Sequence, residues 1–237
     1  MMIPEKVHPT WESLLTEKVL SELREIERKL GKNYNPSPHL ILRFLHVDLS
    51  KVKVIWLGQD VYPAKGVATG RSFEVGGITS WSQPFRQVSV KNIIRLIYKN
   101  YVGINNYSGI KGFNDIKEEI KSGHFPIKEP KAWFDSLERQ GVLFLNTSFT
   151  CEVGKANSHK QIWQNFSEHV LNYISSINPD ITWFLWGKEA TKAKQFIVSG
   201  KFFESRHPMM CSAKYTNDFL KSSCFASTWN EINWLGE

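Results

Sequence analysis

VKVIWLGQDVY, residues 52–62, decides the fold. Val52 to Leu57 is short, apolar and rich in β-branched and aromatic side chains, and Gly58 ends it. Such a run between turn signals reads as a strand buried on both faces. Three later stretches repeat the pattern. Val142-Leu-Phe-Leu-Asn146 follows a glycine, Ile181-Thr-Trp-Phe-Leu-Trp186 stops at Gly187, and Lys201-Phe-Phe-Glu-Ser205 leads into His207-Pro208. Helical patterns lie around and between them. Residues 10–30 carry an apolar stripe of Trp11, Leu14, Leu15, Leu23, Ile26 and Leu30, with Thr10 as the expected cap and Gly31 as the stop. Val90, Ile93, Ile94 and Ile97 fall at i, i+3, i+4 and i+7, with Ser89 as the expected cap. Residues 132–139, 166–177, 188–198 and a short piece after Phe219 also read as helix, and YNPSPH (34–39) as a turn.

Strands alternating with helices predict parallel pairing through helical crossovers. The expected class is α/β, a three-layer α/β/α arrangement around a central, mainly parallel four-stranded sheet. Nothing in the pattern divides the chain, so 1–237 reads as a single domain. Residues 101–130 are rich in Asn, Gly, Lys and Ile with weak periodicity, and read as a surface insertion or long connection.

Of the 237 residues, 30 are Lys or Arg and 23 Asp or Glu, a net charge of +7. That balance favours a polyanionic partner, nucleic acid before membrane, although a solvated surface would account for it equally. With 41% hydrophobic and 22% charged residues the chain is neither disordered nor fibrous. Aromatics reach 13%, including nine Trp, so some rings are expected in stacking or recognition. The cysteines Cys151, Cys211 and Cys224 are odd in number and lack a C-x-x-C pair. They fit neither a disulfide framework nor a zinc site, and a reducing compartment is expected: cytoplasm for a bacterial or phage protein, host nucleus or cytoplasm for a viral one. The start, MMIPEKVHPTWESLL, has no apolar core of a signal peptide, and no apolar run is long enough to span a membrane.

Ligands of parallel sheets bind beyond the carboxyl ends of the strands. Here those ends carry Gly58-Gln59-Asp60-Val61-Tyr62, Asn146, Gly187-Lys188 and His207-Pro208. Residues 58–73 hold three glycines and little periodicity, a loop that wraps something and ends at Phe73. Taken singly, each residue has an ordinary explanation: Asp60 and Asn146 as turn formers, His207 as a satisfied structural histidine, Tyr62 and Phe73 as core. Together they predict one pocket with a carboxylate, an amide, an imidazole and two rings. There is no Walker loop, Rossmann fingerprint, G-x-S-x-G or metal cluster. Cys211 lies too close in sequence to His207 for a thiol–imidazole pair to be expected. A carboxylate can orient water and stabilise a cationic sugar, while an imidazole stabilises an anionic leaving group. A planar leaving group calls for a stacking ring and an amide, the roles that Phe73 and Asn146 fit. On a basic protein this set points to cleavage of an N-glycosidic bond in nucleic acid.

These stretches resemble family 1 uracil-DNA glycosylases. VIWLGQDVYPAKGVATGRSFEV (54–75) is similar to the family's G-Q-D-P-Y-H loop with its phenylalanine eleven residues after the tyrosine. GVLFLNTSFTCEVGKANSH (141–159) resembles G-V-L-L-L-N-T-x-L-T with a downstream Ser-His, WFLWGKEATK (183–192) the L-L-W-G strand end, HPMMCSA (207–213) the H-P-S-P-L-S loop, and SVKNI (89–93) the Pro-Ser-Leu-x-Asn-Ile loop. The matches run in family order from about residue 11 to 234. The resemblance implies that Asp60 activates water, Gln59 contacts the base through its backbone, Tyr62 excludes the C5 methyl of thymine, Phe73 stacks on the everted uracil, Asn146 reads O4 and N3, and His207 bonds O2. It places Ser89, Gly187 and Ser212 in phosphate-pinching loops. It further implies a monomer without metal or cofactor, acting on uracil in single- or double-stranded DNA, with a protein inhibitor possible on the DNA-binding face.

Four departures stand out. Val61 and Pro63 replace the family's proline and histidine, so a looser or slower site is expected. The proline-rich phosphate loop reads RQVS (86–89), with Arg86 supplying charge in place of rigidity. Lys188 follows Gly187 where the family has serine, and could contact phosphate. The wedge leucine aligns with Cys211, and Met209 and Met210 replace Ser and Pro, which makes Met210 a candidate wedge. Two other readings stay open: a weakly catalytic relative that mainly binds DNA or a replication partner, and a glycosylase for another modified pyrimidine.

Overall fold

In the computed structural model, which describes residues 2–237, the apolar runs become strands. They are β1 (Tyr34–Asn35), β2 (Val54–Asp60), β3 (Val142–Ser148), β4 (Cys151–Glu152), β5 (Thr182–Trp186) and β6 (Lys201–Ser205). The helices are α1 (Glu17–Lys29), α2 (Val88–Tyr101), α3 (Phe113–Lys121), α4 (Pro130–Gln140), α5 (Lys160–Ile177), α6 (Lys188–Ala193) and α7 (Cys224–Ser227). Four strands form one sheet in the order β3-β2-β5-β6, and every pairing is parallel. The expected three-layer α/β/α architecture is the one that forms.

Alternate residues of a strand face opposite sides of its sheet. Ile55, Leu57, Leu143, Leu145, Trp183 and Leu185 enter a core shared with α1, α5 and α6. Val54, Trp56, Val142, Phe144, Phe184 and Trp186 enter a second core, shared with α2, α3, α4 and α7. At its centre the Trp56 ring lies 5.1 Å from both Phe144 and Trp186 and 5.7 Å from Phe225 and Trp234. Ring pairs of this kind add about 0.5–1.5 kcal/mol each beyond burial. Every tryptophan except Trp229 is fully buried. The tryptophan excess therefore belongs to the core, not to a stacking surface.

Several sequence expectations shift. The first helix starts at Glu17, and its cap is Thr16, whose hydroxyl accepts from the Val19 amide at 3.4 Å. Thr10 lies in a 3₁₀ turn and accepts instead from the Leu49 amide at 3.0 Å. Ser89 lies inside the first turn of α2, so Gln87 holds the cap position. The 101–130 connection contains α3, and Ile110, Ile116, Phe125 and Ile127 are buried in the second core. Phe113, Ile116 and Ile120 fall at i, i+3 and i+7, so the helix had a short periodic signal within the otherwise weak pattern. The turn at 34–39 contributes β1, which pairs antiparallel with β4. Among the described residues no helix is long and apolar enough to cross a membrane.

Candidate active site

Strand length puts the chemistry in place. β2 does not stop at Gly58; its pairing with β3 continues through Gly58 opposite Asn146 and Asp60 opposite Ser148. Gln59 and Asp60 therefore sit at the carboxyl tip of a central strand, beside Asn146. β5 ends at Trp186, and the Gly187 amide donates to the Ser205 carbonyl at 2.8 Å, joining the tips of β5 and β6. Gly187 has φ +95°, and a Cβ there would lie 2.9 Å from Cβ of His207. Only glycine permits that approach. All four strand tips lie at one edge of the sheet, as parallel pairing requires.

Asp60 is held from one side only. Its Oδ2 accepts from the Asn157 amide at 2.5 Å. Oδ1 is screened from solvent and makes no hydrogen bond within the described chain; the neighbouring Ser148 hydroxyl donates to the Thr150 carbonyl at 2.9 Å. Burial raises the Asp60 pKa above the ordinary aspartate value, and the Asn157 amide on Oδ2 pulls it the other way. The Gln59 side-chain amide donates to Asn157 Oδ1 at 2.7 Å. Asn157 has φ +63°, a left-handed conformation that asparagine tolerates better than most residues.

The other candidate residues are tightly fitted at this edge. Asn146 is 3% exposed. It lies across Gly58, where a Cβ would approach Asn146 Oδ1 to 2.3 Å. Phe73 has φ +63°, an uncommon conformation for a bulky side chain. Its ring packs on Trp186 at 5.4 Å and lies 6.2 Å from the His207 ring, tilted 33°. The Tyr62 hydroxyl donates to the Phe73 carbonyl at 3.4 Å, and burial pushes its pKa up, so it stays a neutral phenol.

His207 is set up as a neutral donor. Its Nδ1 accepts from the Met209 amide at 3.1 Å, which leaves Nε2 to carry the ring proton. Burial lowers its pKa, so the ring is uncharged at neutral pH. The turn that carries it is tied to α2. Asn92 Nδ2 donates to the Pro208 carbonyl at 2.6 Å, and Arg95 donates to Asn92 Oδ1 at 2.8 Å, fixing the orientation of that amide.

The residues expected to meet DNA surround this edge. Lys188 is exposed at the start of α6, Ser89 is buried in the first turn of α2, and Ser212 is half-buried, its amide donated to Asp218 at 2.6 Å. Met209 and Met210 project from the 3₁₀ turn, 56% and 53% exposed. Cys211 turns the other way. Its thiol donates to the Pro208 carbonyl at 3.1 Å, and burial pushes its pKa up to about 12. The position aligned with the wedge leucine thus faces inward, because the turn closes on Pro208, and the methionines before it are the projecting apolar groups. A cleft of about 710 Å³ runs from Gly187 and Lys188 past Arg206 to His207 and Met210.

Four contributors escaped sequence reading. Asn157 lies in the quoted 141–159 stretch, but its contact with Asp60 spans 97 positions and no local pattern encodes it. Asn92 lies in the quoted 89–93 stretch, but its contact with Pro208, and the place of Arg95 behind it, were not read from it. Arg71 drew no reading, yet it is 6% exposed.

A half-buried carboxylate, a neutral imidazole, a ring and an amide thus lie at the strand tips of a basic α/β protein. Residues 44–233 match the model of the uracil DNA glycosylase superfamily, and the chain belongs to that superfamily. It is 30% identical over 219 residues to uracil-DNA glycosylase 1 of Listeria innocua, covering 87% of this chain and 85% of that one. With the uracil-DNA glycosylase of Borreliella burgdorferi it shares 29% identity over 234 residues, covering 94% and 92%. Among solved structures, a point mutant of the UNG from Nitratifractor salsuginis superposes with a TM-score of 0.73 at 20% identity, covering 96% and 93%. A mimivirus UNG mutant in complex with UGI gives 0.62 at 24% identity, covering 85% and 70%.

Proposed function

We propose that this chain is a monofunctional uracil-DNA glycosylase that everts uracil from DNA, hydrolyses its N-glycosidic bond and leaves an abasic site. Family membership carries the activity. The observation that carries the mechanism is Asp60, a half-buried carboxylate with one oxygen held and the other screened from solvent and unpaired, on the same strand-tip edge as a neutral histidine.

The uracil must leave the stack before any side chain can reach it, at a cost of a few kcal/mol. Phe73 offers its ring as the stacking face, and Tyr62 stands where a C5 methyl would go. Asn146 hydrogen-bonds the O4 and N3 edge, and the backbone at Gln59 lines the slot. As the C1′–N1 bond lengthens, positive charge develops on the sugar and negative charge on the base. Asp60 stabilises the first through its carboxylate and accepts a hydrogen bond from the water that attacks C1′. His207 donates from Nε2 to O2 of the leaving uracil anion. A donor aimed at developing charge is typically worth about 3–4 kcal/mol. The water oxygen ends on C1′, its proton passes to Asp60, and uracil departs with the bonding electron pair.

Ser89, Gly187, Lys188 and Ser212 contact the phosphates that flank the everted nucleotide, and Met210 fills the gap it leaves. Such phosphate contacts fix register without reading sequence. The mimivirus neighbour is in complex with UGI, and on this reading the DNA-binding face of the present chain would be where a protein inhibitor binds. The chain acts as a monomer on this reading, and both cores share one sheet, which favours a single domain over 1–237. Three free cysteines suit a reducing compartment.

The test is a single-stranded oligonucleotide carrying one uracil, incubated with protein and then treated with alkali. Cleavage by the native chain that is lost in Asp60→Asn and His207→Leu supports the assignment. Tight DNA binding without cleavage would reduce the chain to a binding protein, and cleavage only at other modified pyrimidines would change its substrate.

A further inference from the structure

Arg71 is the most deeply buried cation outside the strand-tip cluster, its side chain 5% exposed. Its guanidinium forms a two-pronged pair with Glu138 of α4, Nε to Oε1 at 2.9 Å and Nη2 to Oε2 at 2.6 Å. Nη1 donates to Asp135 at 2.8 Å and to Glu74 at 3.2 Å. Burial works against the charged form, but these carboxylates outweigh it and raise the pKa, so the charge is permanent. Arg43 completes the cluster, 3.8 Å from Glu138 and donating to the Thr69 carbonyl at 3.2 Å.

The cluster encloses the segment that delivers Phe73. Thr69 is held by Arg43, Gly70 packs where a Cβ would lie 2.0 Å from the Leu40 carbonyl, and Ser72 donates to the Trp56 carbonyl at 2.8 Å. Phe73 then adopts φ +63°, a conformation that persists only where its surroundings impose it. Arg71 lies two residues before this strained position and Glu74 one after it. The same guanidinium grips Glu74 and α4, so it fixes both sides of Phe73 to a helix of the second core.

We infer that Arg71 is a positioning residue for the base-stacking ring: by clamping the 69–74 segment to α4 it holds Phe73 in its left-handed conformation and so sets the affinity of the slot for uracil. This rests on the reading of Phe73 as the stacking ring. Arg71 itself touches no substrate. A lysine cannot replace it, because a single ammonium cannot make the two-pronged contact with Glu138 while reaching Asp135 and Glu74.

The experiment compares Phe73→Ala, Arg71→Met, Arg71→Lys and the double variant Arg71→Met/Phe73→Ala, all well below their melting temperatures. The readouts are the inhibition constant of free uracil, kcat and KM on the single-uracil oligonucleotide, and Kd for uracil-free DNA. Arg71→Met is expected to raise the uracil inhibition constant about tenfold, equivalent to about 1.4 kcal/mol, and to lower kcat, with Kd for uracil-free DNA unchanged. Arg71→Lys gives the same pattern at smaller amplitude and serves if Arg71→Met does not fold. In the Phe73→Ala background, Arg71→Met adds no further rise in the inhibition constant, which separates positioning from general destabilisation. If Phe73→Ala leaves the inhibition constant unchanged, the stacking assignment fails. If Phe73→Ala raises it and neither Arg71 variant does, or if the effects simply add, the clamp is overturned.

Discussion

Replacing Gly58 by alanine adds one methyl group and tests the placement of Asn146 directly. The added carbon would lie 2.3 Å from Asn146 Oδ1 and 2.9 Å from Ser72 Cβ. Ordinary contact is at least 3.4 Å, so the amide must retreat by about 1 Å. A displacement of that size in a positioned group costs on the order of a hundredfold in rate, or about 2.7 kcal/mol of transition-state stabilisation. Folding is touched far less. The closer clash falls on the end of the Asn146 side chain, the one with Ser72 Cβ asks the buried 69–74 segment to give by a few tenths of an ångström, and alanine costs a strand less conformational entropy than glycine. Gly58→Ala is therefore expected to melt within a few degrees of the native chain while kcat/KM on a single-uracil oligonucleotide falls about a hundredfold. In an Asn146→Ala background the same methyl has no amide to displace, and the further loss should be under about threefold. An active Gly58→Ala variant, or a full second loss in the Asn146→Ala background, would refute Asn146 as the group that reads the base.

The pH profile follows from the two shifts. Asp60 must be ionised, and burial raises its pKa above 3.8; His207 must be neutral, and burial lowers its pKa below 6.5. Both groups lose their working form as pH falls, so kcat/KM should show an acid limb with its midpoint above 3.8 and no loss from either group between pH 7 and 9; a rate that stays flat down to pH 3.8 would contradict the assignment. Asn92→Asp exchanges the donor to the Pro208 carbonyl for an acceptor, and should lower kcat at least about tenfold with little change in KM; unchanged kcat would mean that the His207 turn stands without it. Met210→Ala should slow excision from duplex DNA several-fold more than from single strands, where there is no partner base to displace; equal losses on both substrates would remove Met210 as the wedge.

The sheet was legible because three of its strands, β2, β3 and β5, are apolar on both faces. Val54, Ile55, Trp56 and Leu57 alternate between two cores, and no surface helix of this length would bury every residue. The strand-tip residues were legible for the same reason, since parallel pairing forces Asp60, Asn146, Gly187 and His207 to one edge whatever the loops do. What stayed hidden depends on distance in sequence. The Asn157 amide on Asp60, the Asn92 amide under Pro208 and the Arg71 cluster each join residues between 64 and 116 positions apart. Buried polar partners leave no periodic trace, because a single satisfied Asn or Arg looks like a solvated one in the chain. Cys211 shows the converse: motif alignment put a thiol where a wedge belongs, and backbone closure at Pro208 turned it inward.

The same distinction bears on Val61 and Pro63, which suggested a looser loop. A proline lost from a loop removes roughly 0.4–1 kcal/mol of conformational restraint. Against that stand ties made elsewhere in the fold. The Pro63 carbonyl accepts from the buried Asn35 side chain at 2.8 Å and from the Gly154 amide at 2.8 Å, and Asn35 also reaches the Ala64 carbonyl at 3.2 Å. Val61 itself is 6% exposed, its carbonyl 3.7 Å from the Cys151 thiol. At roughly 0.5–1.5 kcal/mol for each buried hydrogen bond, these contacts offset the missing ring. They exist because β1 pairs with β4, bringing Asn35 opposite Cys151 and both against the loop. The loop after β2 thus takes its rigidity from a two-stranded sheet far from it in sequence, and a sequence that departs from the family's local pattern at two positions can still hold Asp60 and Tyr62 in place.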